Sequence, residues 1–431
     1  MTNFSTLMTS AAAIGAAMIA AFSAQTVRAE TTYIHAGSVI TDASGQPSGP
    51  ATIIVTDGKI MSIEDGFLPT PEGATMVHLP EKTVLPGLID LHVHLTGDPG
   101  GDFWKEATEP EEWGVVLGAK NARLTALAGF TTVREAGSAQ HTAYSLRRGT
   151  AEGVIAGPRI IAAGPALAIV GGHGDVSGFK PEVNAVLTSG YTCTGAVECA
   201  EKVRRASQNG ADIIKITATG GVLSQQGRGL EAHFSSEEMK SIADTAHSLG
   251  LKVMAHAHGA RGIEAAARAG IDTIEHGTYL DDAAIKAMKD NGTVLVPTLM
   301  AFQGISERLG QGIYTPVVED KVRAVSETAK VFMGKALRGG VKIAFGTDAG
   351  VFDHGRNGQE FRLMMGQGMS SRQAVASATT VAAEALGMAG EIGRIAPGYS
   401  ADIIAVTGNP LDDATVLENV GWVMVRGRVV E

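Results

Sequence analysis

One unit recurs along the middle of the chain and limits its fold more than any other feature. A helical stretch ends in glycine and is followed at once by a short β-branched run. It appears as Ala128-Gly129 before Thr131-Thr132-Val133, Asn209-Gly210 before Ile213-Ile214-Lys215-Ile216, and Leu249-Gly250 before Val253-Met254-Ala255-His256. It returns as Ala269-Gly270 before Thr273-Ile274-Glu275-His276, Asn291-Gly292 before Val294-Leu295-Val296, and Gly339-Gly340 before Val341-Lys342-Ile343-Ala344. A glycine just past a helix takes the left-handed conformation that stops the helix and turns the chain into the next strand. Two further runs, Thr83 to His92 and Pro158 to Ala163, bring the strands to eight. Alternating strands and helices imply parallel strands with right-handed crossovers, and eight of them close into a barrel. The expected fold is α/β, a (β/α)8 TIM barrel over residues 84–390. Ser235-Ser236-Glu237-Glu238 reads as a capping box opening the helix before the fifth strand.

The ends of the chain break this pattern. Short alternating runs such as Ala51-Thr52-Ile53-Ile54-Val55, with a hairpin signal at Asp57-Gly58, occupy residues 30–83. Asp402-Ile403-Ile404-Ala405-Val406 and Trp422-Val423-Met424-Val425 do the same in 391–431. The two flanks are expected to pair into one small β-sandwich beside the barrel. Hydrophobic residues make up 44% of the 431 and charged residues 19%, so the chain is globular and can bury a large core. Its 35 basic and 45 acidic residues give a net charge of −10. No Lys/Arg cluster interleaves with aromatics, which argues against a nucleic-acid partner.

Residues 1–29 read as a secretory signal. The apolar run Ala11 to Ala24 is short for a membrane span, and Val27-Arg28-Ala29 is a small-x-small cleavage pattern before Glu30. The mature chain is expected to be periplasmic or secreted, with no membrane association after cleavage. An oxidising compartment would let Cys193 and Cys199, six residues apart, form a disulfide.

Barrel active sites lie at the C-terminal ends of the strands. Reading each expected strand to its end gives Asp90-Leu91-His92-Val93-His94 on the first, Lys215 on the fourth and His256-Ala257-His258 on the fifth. The sixth gives Glu275-His276 and the eighth Gly346-Thr347-Asp348. Positions i and i+2 of a strand share a face, so His92 and His94 can grip one cation together. Neutral imidazoles with a carboxylate are a ligand set for zinc or a similar divalent ion. His256 and His258 also share a face, and the residues alone leave open which is the ligand. The long Gly-rich connection 165–192 sits where barrel enzymes keep their lids.

This order of residues, His-x-His on strand one, Lys on four, His on five and six and Asp on eight, resembles the amidohydrolase superfamily. The resemblance spans nearly the whole mature chain. It includes Pro86-Gly87-Leu88-Ile89-Asp90 ahead of the His-x-His and Pro397-Gly398-Tyr399-Ser400-Ala401-Asp402 near the end. His256-Ala257-His258-Gly259, Ile274-Glu275-His276-Gly277 and His354-Gly355-Arg356-Asn357 are similar to the metal-dependent branch with Xaa-Pro dipeptidase-like, carboxypeptidase-like and ochratoxinase-type members.

The resemblance implies two divalent ions, zinc first among them by ligand type. His92, His94 and Asp348 would hold one ion, and His256 and His276 the other. Lys215, carboxylated by CO2 to a carbamate, would bridge both. Asp348 would also serve as the general base and acid. His258 would face the substrate carbonyl. His173 in the lid, Gly221 and Val222 after strand four, and His354 after Asp348 are further substrate-contact candidates. Arg228 is expected to be a solvated loop residue. The implied substrate is a small amide or peptide, with a homo-oligomer expected.

Hydrolysis of dipeptides or N-acyl amino acids is the leading expectation. Action on cyclic amides, ureides or lactones is the alternative. Deaminases usually carry a glutamate shortly after the fifth-strand histidine and lack the bridging lysine, whereas Gly259 and Ala260 follow His258 here. A binding protein without turnover would be expected to have lost a ligand, and none is missing.

Overall fold

The computed structural model describes residues 30–100, 103–225 and 229–431. The expected signal at 1–29 and Arg228 lie outside the described residues.

Four strands form the N-terminal flank: β1 (Thr31–Val39), β2 (Ala51–Thr56), β3 (Lys59–Asp65) and β4 (Thr75–Pro86). The barrel strands follow as β5 (Leu88–Val93), β6 (Phe130–Glu135), β7 (Arg159–Ala162), β8 (Ile213–Thr217), β9 (Lys252–Ala257), β10 (Thr273–His276) and β11 (Val294–Val296). The C-terminal flank adds β12 (Ile403–Val406), β13 (Trp422–Val425) and β14 (Arg428–Val429).

The barrel strands pair in parallel as two arcs, β5-β6-β7 and β8-β9-β10-β11. Backbone hydrogen bonds join the arcs on one side, where Asp212 N donates to Ala162 O at 2.9 Å and Leu167 N to Lys215 O at 2.8 Å. The eighth stave, expected at Val341 to Ala344, stands in its place but is not a regular strand. It bonds β11 through Leu295 N to Lys342 O at 2.9 Å and β5 through Leu91 N to Phe345 O at 3.0 Å. Asp348 N then donates to His92 O at 2.7 Å. The stave is crowded at its end. A Cβ on Gly346 would lie 2.3 Å from Val296 and 3.2 Å from the His92 nitrogen. The six glycines at the helix–strand joints (129, 210, 250, 270, 292 and 340) all have positive φ, between 69° and 98°. The capping box at Ser235 and Glu238 is formed.

The two flanks join in one seven-stranded sheet, ordered β14-β13-β12-β4-β1-β2-β3. The two flanks meet where β4 pairs antiparallel with β12, Ile403 opposite Pro86. The expected sandwich is a single sheet curled onto itself rather than two separate sheets. Its β3 edge reaches the segment ahead of β12, with Ile60 N donating to Tyr399 O at 2.9 Å and Ala401 N to Gly58 O at 2.8 Å. Curling lets one sheet enclose its own core of Ile34, Ile53, Ile60, Val84, Ile403 and Met424. β4 runs through residue 83 without a break and hands the chain to β5 at Gly87. A side chain at Gly87 would overlap Thr131, with its Cβ 2.1 Å from the Oγ1.

Cys193 and Cys199 are paired, with Cα atoms 5.1 Å apart, and both are buried. The bridge ties the end of the 165–192 connection to the first turn of the helix Ala196–Gln208.

Candidate active site and its relatives

Strand ends and the loops that follow them bring six imidazoles, one amine and one carboxylate into a single cavity of about 1160 Å³. His92, His94, Lys215, His256, His258, His276, Asp348 and His173 all line it. The first group comprises His92, His94 and Asp348, and the second His256, His258 and His276; in each, the candidate donor atoms lie within 4.8 Å of one another. Lys215 Nζ lies 3.4 Å from His92 Nε2.

Each imidazole is held by one nitrogen so that the other is free. His94 Nδ1 donates to Gly137 O at 2.9 Å, and His92 Nδ1 donates to Glu275 Oε2 at 2.8 Å. Their Nε2 atoms then approach Asp348 Oδ1 at 3.4 and 3.5 Å. That oxygen is buried and has no hydrogen-bond donor. His256 is held the other way round. Its Nε2 donates to Gly220 O at 3.2 Å, which leaves Nδ1 bare. His276 and His258 are fixed through Nδ1 by the hydroxyls of Thr298 and Thr278, each at 2.7 Å.

The backbone is strained where the ligand candidates sit. His276, Thr298 and Asp348 have φ values of 70°, 49° and 65°. Each such non-glycine residue costs about 1–3 kcal/mol, the kind of strain that persists when a functional arrangement over-determines it.

Burial sets the protonation states. It drives His92, His256 and His276 well below their ordinary pKa, His94 to about 4, and His173 and His258 to about 3. All six are therefore neutral at neutral pH, the state in which an imidazole can ligate. Burial also lowers the Lys215 amine to about 8, against the pull of Glu275 and Asp348. It raises Asp348 to about 7, against the pull of Lys215. One cation would satisfy the unpartnered Asp348 oxygen together with His92 and His94, and a second would fit the group of His256, His258 and His276, so the donor set fits two divalent ions.

The residues expected to contact substrate divide. His173 and Val222 line the cavity, with His173 Nδ1 bonded to Ser224 Oγ at 2.9 Å. Gly221 and His354 are not among the residues that line the cavity. A Cβ on Gly221 would lie 2.4 Å from the His173 ring, so that glycine is the bed on which the imidazole rests. His354 spends both nitrogens on Thr125 Oγ1 at 3.0 Å and His94 O at 3.2 Å. It props the His94 backbone instead.

Sequence reasoning missed the support beneath the ligands. Arg134 and Glu275 are both fully buried and pair at 2.8 Å across the barrel interior. Arg134 also reaches Leu91 O at 2.5 Å and Thr273 Oγ1 at 3.1 Å. The available signal was an Arg and a Glu inside runs too apolar for solvated charges, Thr131-Thr132-Val133-Arg134 and Ile274-Glu275. The cavity's outer wall was also unread. Trp113 and Lys105 come from one lip and Val186 and Ser189 from the other.

The Amidohydrolase family model matches residues 83–430. The chain belongs to the amidohydrolase family. It is a metal-dependent hydrolase acting on amide bonds. Ochratoxinase from Aspergillus niger is 32% identical over 426 residues, covering 92% of this chain and 85% of the relative. Among solved structures, a Xaa-Pro dipeptidase with methionine bound in its active site superposes with a TM-score of 0.85 at 38% identity. That match covers 93% of this amidohydrolase and all of the dipeptidase. A prolidase complexed with N-methylphosphonate-L-proline gives a TM-score of 0.84 at 32% identity over 93% and 99% of the two chains. These likenesses place the protein beside the ochratoxinase and Xaa-Pro dipeptidase members of the family.

Proposed function

We propose that this amidohydrolase is a binuclear enzyme that cleaves the amide bond of dipeptides or N-acyl-L-amino acids, releasing the C-terminal amino acid. The observation that carries the reading is that two candidate ligand groups and Lys215 line one cavity. The relatives add the substrate class, since one dipeptidase holds methionine in its active site and one prolidase binds a phosphonate of proline.

His92, His94 and Asp348 would hold one zinc ion, His256 and His276 the other, and Lys215 would bridge them as its carbamate. Carbamate formation joins the neutral amine to CO2 and releases one proton, so an amine lowered to about 8 is suited to it at neutral pH. Bound ions would supply an activated water and polarise the scissile carbonyl. Asp348 lines the cavity beside the candidate ligands. It accepts the proton of the attacking water and delivers it to the amine nitrogen as the C–N bond breaks. With the Thr278 hydroxyl donating to Nδ1 of His258, its Nε2–H is left to donate to the substrate carbonyl oxygen.

Export to a periplasmic or extracellular space, proposed from the N-terminal segment, agrees with the buried disulfide. The test is a panel of dipeptides and N-acyl amino acids beside cyclic amides, ureides and lactones. Free amino acid released only from the first set supports the reading. Turnover confined to the cyclic compounds would replace it.

A further inference from the structure

We propose that Lys321, on the helix Pro316–Ser326 outside the barrel, is a positioning residue that sets the orientation of His256 and His173 through the loop after β8. The inference rests on the two-ion reading, because it concerns how the second ion's ligand is presented.

The chain of contacts is short. Lys321 Nζ donates to Gly221 O at 2.9 Å and to Ser224 O at 2.5 Å, both carbonyls of the segment that follows β8. The neighbouring carbonyl, Gly220 O, is the acceptor for His256 Nε2. A carbonyl accepts and never donates, so this contact fixes the His256 tautomer with the proton on Nε2 and a bare Nδ1. The same segment governs His173. The Ser224 hydroxyl has one proton and donates it to Gly221 O at 3.1 Å. It must therefore accept from His173 Nδ1, which leaves Nε2 of His173 without a proton. The His173 ring is packed against Gly221 and its centroid lies 4.2 Å from that of His256. Thr219 of the segment also accepts from the backbone N of His258 at 2.9 Å.

One flexible cation thus clamps two carbonyls of a turn that touches three active-site histidines. The helix carrying it makes a second tie to the loop, Thr315 Oγ1 to Gln225 Oε1 at 2.8 Å. That bond reaches the loop beyond the carbonyls and supplies a control. If Lys321 acts by orienting the carbonyls, its loss disturbs His256 and His173. If the helix merely tethers the loop, either bond will do.

The experiment compares Lys321→Met, Lys321→Arg and Thr315→Val in the mature chain. Zinc affinity is measured by equilibrium dialysis against a competing chelator, with bicarbonate present and no substrate. Thermal unfolding of the metal-free proteins reports whether each variant folds. Wild type binding about two ions per chain supports the underlying two-ion reading independently. Lys321→Met is expected to weaken the second ion about tenfold, the lower end for residues that orient metal ligands, while the first ion is unaffected. Lys321→Arg, which keeps donors in reach, is expected to recover most of that loss, and Thr315→Val to bind as wild type. Wild-type affinity in Lys321→Met, or equal weakening in Thr315→Val, overturns the proposal. Should Lys321→Met fail to fold, Ser224→Ala decides. It removes the hydroxyl that sets His173, and an unchanged 15N imidazole spectrum for His173 in the metal-free protein would overturn the loop's role.

Discussion

Glutamate 275 does two things at once, and a pair of variants separates them. Its Oε1 neutralises Arg134 at 2.8 Å and its Oε2 accepts from His92 Nδ1 at 2.8 Å, with all three side chains essentially solvent-free. Glu275→Gln leaves a guanidinium buried without a counter-charge, which costs about 3–5 kcal/mol. Unfolding entropy scales with chain length at about 2 cal/mol/K per residue, so for roughly 400 residues each kcal/mol is about 1 °C and the metal-free Tm should fall by about 3–6 °C. The same change weakens the hydrogen bond that would make His92 a basic ligand, and on the two-ion proposal zinc affinity should drop about 10–100-fold. Combining Arg134→Met with Glu275→Leu removes the stranded charge but also the His92 acceptor. The double variant should therefore regain stability relative to Glu275→Gln while keeping the affinity defect. Differential scanning calorimetry of the metal-free proteins and chelator competition give the two readouts. The reasoning is refuted if stability and zinc affinity recover together, or if Glu275→Gln binds zinc as tightly as wild type.

Lys215→Ala should lose most bound metal and nearly all turnover, read by elemental analysis and amino-acid release; unchanged activity would remove the bridge from the account. Glu135 is fully buried, one oxygen has no donor, and burial raises its carboxyl from 4.5 to about 8. The native state therefore holds its proton longer than the unfolded chain, so this group costs stability as pH rises from about 4.5 to 8. Glu135→Gln should leave Tm unchanged near pH 4 and raise it above pH 8, by up to about 5 kcal/mol in stability, and a parallel pH–Tm curve would count against it. Replacing Cys193 and Cys199 together with serine removes a loop-closing bridge over six residues of separation. The chain-entropy relation gives about 2 kcal/mol for so short a loop, visible as a lower Tm with the barrel still folded.

Much of the fold was legible because its signals are local. A glycine past each helix and a β-branched run after it are both short-range features, and the six joint glycines adopt the left-handed backbone they imply. The ligand candidates were legible for the same reason, since period-two geometry sends His92 and His94 to one face wherever the strand lies. What escaped needed partners distant in sequence. Arg134 and Glu275 are 141 residues apart and acquire meaning only when the barrel closes around them. Lys321 sits on an outer helix and reaches a carbonyl 100 residues earlier. Close packing at Gly346, at the end of the irregular eighth stave, is likewise something that no propensity reports. His354 carried a motif but props the His94 backbone, because both its nitrogens are already spent.

The central claim is a two-ion site bridged by carboxylated Lys215 that hydrolyses amides of amino acids. It is tested most directly by measuring metal content, lysine carbamate and amino-acid release on one preparation of the mature chain. With 13C-labelled bicarbonate and zinc, the account predicts about two ions per chain and a carbamate carbon resonance absent from Lys215→Ala. It also predicts release that falls to background when a chelator strips the metal. Full release from metal-free protein, or two bound ions with no carbamate signal, would contradict it.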